Sequence, residues 1–314
     1  MPPRSYCSNW SRTFLMTEPF RCGYIALAGR PNVGKSTLLN RILGQKISIT
    51  SRRPQTTRHS ILGIKTLPHA QLVYVDTPGI HDYSGRAMNR HMNRTASTAL
   101  ADVDVVVFII EALRWLPDDE LVLKKLAGLD SPVILAVNKI DTLASREVLL
   151  PELEALSRKR AFSEIIPISA SKGTNVVALE TAIEALLPQA PPFFPEDQVT
   201  DRSERFLVAE LIREKLFRKL TRELPYGLTV EVEAFRSEPR ITHIHALIWV
   251  ERQSQKNIVI GKQGAVLKEV GQQARRDIEA LIGGRVNLKL WVKVKEGWAD
   301  DERALRSLGY THDD

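Results

Sequence analysis

Eight residues near the start of the chain, GRPNVGKS at 29–36, constrain its fold more than any other segment. They fit the pattern G-x-x-x-x-G-K-[ST] and stand between an apolar stretch, YIALAG, and a helix-forming stretch, which is the context in which this pattern binds phosphate. Glycines let the backbone wrap a phosphate group, and the N–H groups at the start of the helix point towards it. We expect Lys35 to reach the outer phosphates and Ser36 to bind Mg²⁺.

The surrounding region, residues 22–187, alternates short apolar runs with helix-forming stretches and is predicted to be one domain. The predicted strands are YIALAG, QLVYVDTPG, DVVVFIIEA, PVILAVNKID and EIIPISAS. The predicted helices lie near 35–44, 87–101, 117–128, 146–160 and 174–187. Most of the strands are apolar without alternation, as strands buried on both faces are. The order predicts an α/β fold with a mostly parallel sheet and helices on both faces.

Three further segments lie at strand ends, where ligands bind in sheets of this kind. DTPG offers Asp76 to Mg²⁺ through water and the Gly79 N–H to a terminal phosphate. In NKID, the Asp141 carboxylate is able to accept two hydrogen bonds from guanine, a pair that adenine cannot supply. SAS at 169–171 is able to place a backbone N–H on the guanine oxygen. Together with the first loop, these segments indicate a GTP site rather than an ATP site.

The polar segment TSRRPQTTRH at 50–59 lies between the first helix and the next strand. A threonine in such a loop binds Mg²⁺ only while the γ-phosphate is present, which makes the loop a switch. We select Thr57 for this role, with Thr56 as the alternative. The expected Mg²⁺ ligands are Ser36, Thr57 and Asp76. The expected GTP-binding residues are Gly29, Asn32, Val33, Gly34, Lys35, Ser36, Thr37, Asp76, Gly79, Asn138, Lys139, Asp141, Ser169 and Ala170.

The residue after the DTPG glycine is Ile80, which cannot orient an attacking water as the glutamine of Ras-type enzymes does. His81 and Asp82 are polar but lie further along the chain. The sequence therefore names no catalytic side chain. It predicts slow intrinsic hydrolysis that a partner or a cation stimulates.

A second region follows the proline-rich segment LPQAPPFFPEDQ, and we place a linker at 188–203. From 204 to 314 the predicted order of elements is α-β-β-α-α-β, beginning with a long amphipathic helix at 204–223. A second glycine loop, GKQG at 261–264, joins a short helix to a longer one. The order predicts an α+β domain.

The second region also carries the net charge of the chain, which is +7. From Arg240 to Lys295 there are eleven Lys or Arg residues and four Asp or Glu residues, so the rest of the chain is balanced. This excess indicates a polyanionic partner, either nucleic acid or an anionic membrane, unless it is only a solvated basic surface.

Several segments resemble the Era family of GTPases over residues 22–312: GRPNVGKSTLLN, SITSRRPQTTRH, VYVDTPGIH, VILAVNKID, PISAS, FPEDQVTDRSERF, IREKL and LWVKVKEGWADDERALRSLGY. The resemblance implies a P-loop GTPase domain joined to a type II KH domain at 204–314 with a C-terminal tail. It implies binding of 16S rRNA near its 3′ end and assistance to assembly of the small (30S) ribosomal subunit. It also implies a link to cell-cycle control and a loose association with the inner membrane. Asn32 resembles the asparagine that holds K⁺ in some related GTPases.

KH domains clamp about four nucleotides of single-stranded backbone at a GXXG loop. The GKQG loop is therefore predicted to hold RNA, with the dipole of the following helix adding to the attraction. The expected RNA-binding residues are Ile260, Gly261, Lys262, Gln263, Gly264 and Lys268. Bases are expected to lie over Ile258, Val259 and Ile260. The first loop then holds a nucleotide and the second an RNA backbone.

Two alternatives to an RNA-binding assembly GTPase stand beside this interpretation. One is a membrane-associated signalling GTPase, although the mixed charges of the helix at 204–223 are poorly suited to a membrane surface. The other is a subunit of an RNA-modifying enzyme, which needs a second catalytic set that the sequence lacks after residue 200. Cys7 and Cys22 show no disulfide pattern, which suits a reducing cytosol, so we expect a cytoplasmic protein. We also expect a monomer. Residues 1–21 are expected to be a disordered extension or to reflect a start at Met16.

Overall fold

The computed structural model describes residues 19–51, 53, 56–79, 87–145, 147–220 and 224–298. The described residues include a six-stranded sheet and a three-stranded sheet, each packed against helices. The strands are β1 (Arg21–Ala28), β2 (Ile61–Thr66), β3 (Ala70–Asp76), β4 (Val105–Glu111), β5 (Val133–Asn138), β6 (Glu164–Pro167), β7 (Leu228–Glu238), β8 (Ile241–Val250) and β9 (Val286–Val294). The helices are α1 (Lys35–Leu43), α2 (Ala87–Thr98), α3 (Pro117–Leu126), α4 (Leu149–Ser157), α5 (Val176–Leu186), α6 (Glu204–Lys219), α7 (Gln253–Ile260) and α8 (Ala265–Ile282).

The first sheet has the order β2-β3-β1-β4-β5-β6, and every pairing except β2 with β3 is parallel. Its apolar strands are buried from both sides because α1 and α5 cover one face while α3 and α4 cover the other. The predicted α/β architecture is therefore confirmed. The carboxyl ends of β1, β3, β4 and β5 share one edge of this sheet, and the candidate site lies there.

The antiparallel edge strand β2 is absent from the strands predicted from the sequence. Its run ILGIKT is interrupted by Gly63, which weakens a strand signal. Packing explains the glycine, because a Cβ at Gly63 would lie 2.6 Å from a methyl group of Leu39 on α1. The glycine thus lets α1 approach the edge of the sheet.

The proline-rich linker packs along the outer side of β2 rather than holding two domains apart. The Ile64 N–H donates to the Val199 carbonyl at 2.8 Å, and Thr200 forms a bridge with Gly63. Nearer the start of the linker, the N–H groups of Phe193 and Phe194 donate to Oε1 of Gln71 on β3. The linker therefore covers a sheet edge that would otherwise present unpaired backbone groups.

The second unit follows the predicted order α-β-β-α-α-β, with β7 antiparallel and β9 parallel to the central strand β8. Helix α6 ends at Lys219, before the predicted end at 223. It is also not amphipathic in the expected sense, since its charged residues Glu210, Arg213 and Glu214 are buried with its apolar ones. Its position between the second sheet and the loop before β2 explains this burial.

Helices α6, α7 and α8 cover one face of the second sheet, and their apolar side chains form a separate core with β7, β8 and β9. Within the described ranges, no helix is both long and apolar enough to cross a bilayer. The tail from 299 to 314 and the N-terminal residues 1–18 lie outside the described residues.

Candidate functional site

The loop at 29–36 adopts a backbone that only glycine permits at two positions. Gly29 has φ 149° and Gly34 has φ 108°, both in the region that side chains rarely adopt. A Cβ at Gly34 would lie 2.3 Å from Asn138 Nδ2, and one at Gly29 would lie 2.5 Å from the Ile109 carbonyl oxygen. The loop is therefore fixed against β4 and β5 before helix α1 begins.

Lys35 is buried within this loop. Its Nζ donates to the carbonyls of Gly29 at 2.9 Å and Arg30 at 3.0 Å. Burial lowers the pKa of Lys35 to about 8, against the opposing attraction of Asp76. The ammonium therefore sits on the inner side of the loop, where an anion relieves the cost of its burial.

The three predicted Mg²⁺ ligands meet at one point. Ser36 Oγ donates to Asp76 Oδ2 at 2.7 Å and lies 2.9 Å from Thr57 Oγ1. Thr56 is directed elsewhere, because its hydroxyl donates to the Arg53 carbonyl at 2.8 Å. Of the two threonines left open by the sequence, Thr57 is the one beside Ser36.

This cluster fits Mg²⁺ in its chemistry. The donors are hydroxyl and carboxylate oxygens, which hard divalent cations prefer. Asp76 is fully buried, and its Oδ1 has no hydrogen-bond partner among the described residues. Burial raises the pKa of Asp76, while bonds from Ser36 and from Ser48 at 2.7 Å oppose the rise. No sequence motif marks Ser48.

Asn138 joins the phosphate loop to the segment after β6. Its Nδ2 donates to the Val33 carbonyl at 2.7 Å, and its Oδ1 accepts from the Ala170 N–H at 2.9 Å. The sequence predicts that a backbone N–H of residues 169–171 binds the guanine oxygen, and this stays a prediction. In the structure the Ala170 N–H donates to Asn138, because the amide oxygen of that buried side chain needs a donor.

Asp141 is oriented by two hydroxyl groups. Ser169 Oγ donates to its Oδ1 at 2.6 Å, and Ser171 Oγ donates to its Oδ2 at 3.1 Å. These bonds, with that of Ser169 the largest cause, lower the pKa of Asp141. The carboxylate is thereby kept ionised and able to accept hydrogen bonds from a base. Ser169 is expected from the sequence only as a GTP-binding residue, and no motif marks either hydroxyl as a partner of Asp141.

A network of charges that the sequence analysis missed supports Lys139. Lys139 Nζ lies 3.0 Å from Glu111 Oε2, and the same carboxylate pairs with Arg30 Nη2 at 3.2 Å. Arg30 also donates from Nε to the buried Asp119 at 2.9 Å. These residues come from four separate segments, so no local spacing marks them.

The predicted nucleotide-binding residues surround a cleft of about 660 Å³. It is lined by Asn32, Gly79 and Thr37, together with Lys35, Ser36 and Asp141. Val33 is buried in the core, and it is its carbonyl that contacts Asn138. Ile80, His81 and Asp82 lie outside the described residues.

The second loop, GKQG, is open where the first is enclosed. Gly261 has φ 74°, Gln263 has φ 51° and Gly264 has φ 78°, and the Gly264 N–H closes the turn on the Gly261 carbonyl at 3.1 Å. Lys262, Gln263 and Lys268 are exposed. A Cβ at Gly264 would meet nothing within 4 Å, so its glycine serves the backbone or an approaching ligand.

One residue beside this loop is placed differently from the prediction. Val259 is fully buried in the core of the second unit, so it cannot lie under a base. Ile258 is 55% exposed and Ile260 is half-buried. The helical turn explains the difference, because successive residues of α7 point in directions about 100° apart.

The loop that carries Thr57 contacts helix α6. Arg213 Nη2 donates to the Thr56 carbonyl at 2.6 Å, and Glu214 Oε1 accepts from the Thr50 N–H at 2.9 Å. In the opposite direction, Arg58 of the loop donates to the carbonyl of Leu228, the first residue of β7, at 2.8 Å. The nucleotide-side loop and the second unit therefore share buried polar contacts.

Comparison with known proteins identifies both units. Residues 24–139 match the family described as 50S ribosome-binding GTPase, and residues 223–299 match the KH domain family. GTPase Era of Marinobacter nauticus is 59% identical over 92% of this chain and 95% of its own length. The chain belongs to the Era family. GTPase Era of Pseudomonas aeruginosa is also 59% identical, again over 92% of this chain and 95% of its own length.

Solved Era structures share the whole architecture. A crystal structure of Era in complex with MgGDPNP and nucleotides 1506–1542 of 16S ribosomal RNA matches with a TM-score of 0.90 at 39% identity. The match covers 93% of this chain and 100% of the Era chain in that crystal structure. Aquifex aeolicus Era bound to GDP·AlF4⁻ matches with a TM-score of 0.90 at 38% identity over the same shares of both chains. The resemblance inferred from the sequence is confirmed, and the fold is a P-loop GTPase domain with a KH domain.

Proposed function

We propose that this protein binds and hydrolyses GTP, binds 16S rRNA near its 3′ end, and assists assembly of the small ribosomal subunit. The observation that carries the proposal is the convergence of Ser36, Thr57 and Asp76 beside the buried Lys35. The four side chains form a phosphate and Mg²⁺ site, and they belong to a chain whose second glycine loop is exposed on a basic domain. The Era relative bound to MgGDPNP and 16S rRNA supports both halves.

The nucleotide is held by groups that this chain orients in advance. Lys35 and the N–H groups at the start of α1 neutralise and position the phosphates. Ser36 and Asp76 would hold Mg²⁺, with Thr57 joining them from the loop before β2, and a bound ion there would withdraw charge from the phosphate oxygens. Asp141, which the hydrogen bond from Ser169 keeps ionised, accepts hydrogen bonds from the guanine ring N–H and amino group.

The loop that carries Thr57 is the switch. The same loop contacts α6, because Arg213 donates to the Thr56 carbonyl and Glu214 accepts from the Thr50 N–H. Movement of this loop with the state of the nucleotide therefore changes contacts with the KH domain.

Slow turnover is expected because the residue after Gly79 is not a glutamine. K⁺ beside Asn32 is part of this proposal. Asn32 lines the cleft and has the left-handed backbone φ of 66°, which turns the loop at that point. A cation there would supply the positive charge that an arginine supplies in other GTPases.

The RNA half of the proposal rests on the GKQG loop. Its exposed Lys262 and Gln263 offer donors to a phosphate backbone, and helix α8 begins directly after Gly264. Ile258 and Ile260 lie beside the clamp, where bases are expected to rest. Weak peripheral association with the inner membrane, a cytoplasmic location and a monomeric state are the remaining parts of the proposal, and they come from the family resemblance.

Crosslinking in cells, followed by sequencing of the bound RNA, tests the proposed function. The expected result is an enrichment of reads at the 3′ end of 16S rRNA that falls when Lys262 is replaced by Asp. Lys125→Asp, a change of equal charge on the exposed side of α3, serves as the matched control and should leave the enrichment intact. Reads spread over unrelated RNAs in the wild type would contradict the proposed function.

A further inference from the structure

The KH sheet has a second face that the described helices α6, α7 and α8 do not cover. On β8, Ala246, Ile248 and Val250 point into the core with the helices. Because side chains alternate along a strand, His245, Leu247 and Trp249 lie on the opposite face. On β9, the register places three exposed or half-exposed partners beside them. Lys289 pairs with His245, Trp291 with Leu247, and Lys293 with Trp249.

We call the set His245, Trp249, Lys289, Trp291, Lys293 and Lys295 the outer aromatic face. Trp291 is 43% exposed, although tryptophan carries more apolar surface than any other side chain here. It meets His245 edge-to-face, with ring centroids 5.2 Å apart and planes at 73°. His245 is able to occupy only one side of the indole, so the other side remains available to a planar ligand.

Cations surround the second tryptophan of this face. Lys293 Nζ and Lys295 Nζ each lie 5.8 Å from the Trp249 ring centroid. Trp249 Nε1 donates to Glu231 on β7 at 2.8 Å, which fixes the ring. No ion pair to Lys289 is found in the described part of the chain, and its side chain is exposed.

Charge is divided across the sheet. The carboxylates Glu231 and Glu233 lie on β7, whereas the lysines lie on β9 or directly after it, at the opposite edge. Lys293 lies 3.8 Å from the carboxylate of Glu233, a distance at the outer limit of an ion pair. A polyanion is therefore favoured along β9 and disfavoured along β7.

The position of β9 connects the outer aromatic face to the GKQG loop. Helices α7 and α8, which the loop joins, both pack against β9. Strand β9 is also an edge of the sheet. A strand of RNA that leaves the clamp on the helical side thus needs only to pass this edge to reach Trp291 and Lys289.

We propose that the outer aromatic face is a second single-stranded RNA contact, in which a base stacks on Trp291 and phosphates meet Lys289 and Lys293. The combination of aromatic platforms with a basic track is the one that binds single strands without reading sequence. The contact rests on the proposed RNA-binding function and extends it, because it lies on the face of the sheet opposite the clamp.

RNAs of graded length test the contact on the full chain. Fluorescence anisotropy titrations use the RNA of nucleotides 1506–1542 and a series shortened to about four nucleotides, the length that a KH clamp holds. Trp291→Ala should weaken binding of the longer RNAs about tenfold, which is typical of one lost base stack. Trp291→Phe keeps a ring face and should recover most of the affinity. The shortest RNA, which fills the clamp alone, should bind both variants like wild type.

Charge is tested with a matched pair of double variants. Lys289→Glu with Lys293→Glu should weaken binding of the longer RNAs, and the loss should shrink as salt is added. Lys124→Glu with Lys125→Glu, on the exposed surface of α3, changes the net charge equally and should have a much smaller effect. Unchanged GTP affinity in all variants reports an intact GTPase domain, and circular dichroism checks the fold of the whole chain.

Several outcomes would overturn the second contact. Wild-type affinity of Trp291→Ala for every RNA would do so, as would an equal loss for the shortest RNA, which would place the effect at the clamp. A dependence on Trp291 that appears only after removal of residues 299–314 would assign the face to the tail instead. Failure of wild type to bind any of these RNAs would refute the proposed function itself, and this is distinguishable from loss of the length dependence alone.

Discussion

Both glycine loops of this chain begin a helix, but the loop at 29–36 is enclosed and the loop at 261–264 lies open. Added side-chain atoms at Gly29 and Gly34 would collide with β4 and with Asn138, whereas one at Gly264 would meet nothing. Lys35 is buried, whereas Lys262 is exposed. The same residue types therefore form a cavity for one small anion in the first case and a surface clamp for a polymer in the second.

The comparison teaches that a glycine loop takes its ligand class from what packs around it. Segments from several strand ends close around the first loop, and they fix Lys35 and Asp76 at a high desolvation cost that a bound ligand offsets. In the second loop a Cβ at Gly261 would lie 2.5 Å from a methyl group of Val266, a residue of the helix that follows. An extended chain is able to enter and leave on either side of such a turn.

The largest predicted difference between the loops comes from the same substitution made in each. Lys35→Ala should lower GTP affinity at least about a hundredfold, because two charge-assisted hydrogen bonds from the ammonium to the phosphates, of about 1.5–3 kcal/mol each, are lost. Lys262→Ala should leave GTP affinity unchanged and weaken RNA binding only modestly, since it removes one exposed phosphate contact. Titration with a fluorescent GTP analogue measures the first effect, and circular dichroism checks the fold. A loss of GTP affinity in both variants would end the distinction between the loops.

The next largest effect concerns the base. Asp141→Asn should lower GTP affinity by roughly tenfold to a hundredfold and favour xanthosine triphosphate, because an amide no longer accepts two hydrogen bonds from guanine. Asp130→Asn, at an exposed carboxylate of the same domain, is the control. Competition between the two nucleotides measures the change. GTP affinity that stays within a few-fold would contradict the assignment of NKID.

The smallest predicted effect is that of the cation. GTP hydrolysis should be faster in KCl than in NaCl at equal ionic strength, since K⁺ beside Asn32 would stabilise charge on the phosphates. Asn32→Ala should remove the difference, and phosphate release measured in both salts gives the rates. Equal rates in the two salts with the wild-type chain would exclude the cation role.

Much of the first site is predictable because its motifs are bound to strand ends. The positions of Lys35, Ser36, Asp76 and Asp141 follow from short segments whose order fixes the edge of the sheet on which they meet. The pairing of Arg30 with Glu111 does not follow, since these residues lie far apart in the chain and no spacing relates them. Strand β2 is not predicted for a different reason. Its close packing against α1 requires a glycine, Gly63, and a glycine inside a strand weakens the sequence pattern.

The contact between the two domains is the feature that the sequence describes least well. Four prolines in LPQAPPFFPEDQ indicate a linker, and a linker is usually taken to separate domains. Here it is packed along β2, and α6 has buried charges because Arg213 and Glu214 pair with the backbone of the loop at 50–58. Such partners lie more than a hundred residues apart, so periodicity assigns α6 an exposed polar face that it does not have.

The two-ligand account is tested most directly by Lys262→Asp with Gln263→Asp. This double variant places two negative charges where an RNA backbone approaches, on an exposed turn of the second unit. RNA of nucleotides 1506–1542 and a fluorescent GTP analogue are titrated against wild type and variant. The account predicts that RNA affinity falls at least about tenfold, and less at high salt, while GTP affinity is unchanged. Unchanged RNA affinity, or a comparable loss of GTP affinity, would contradict it.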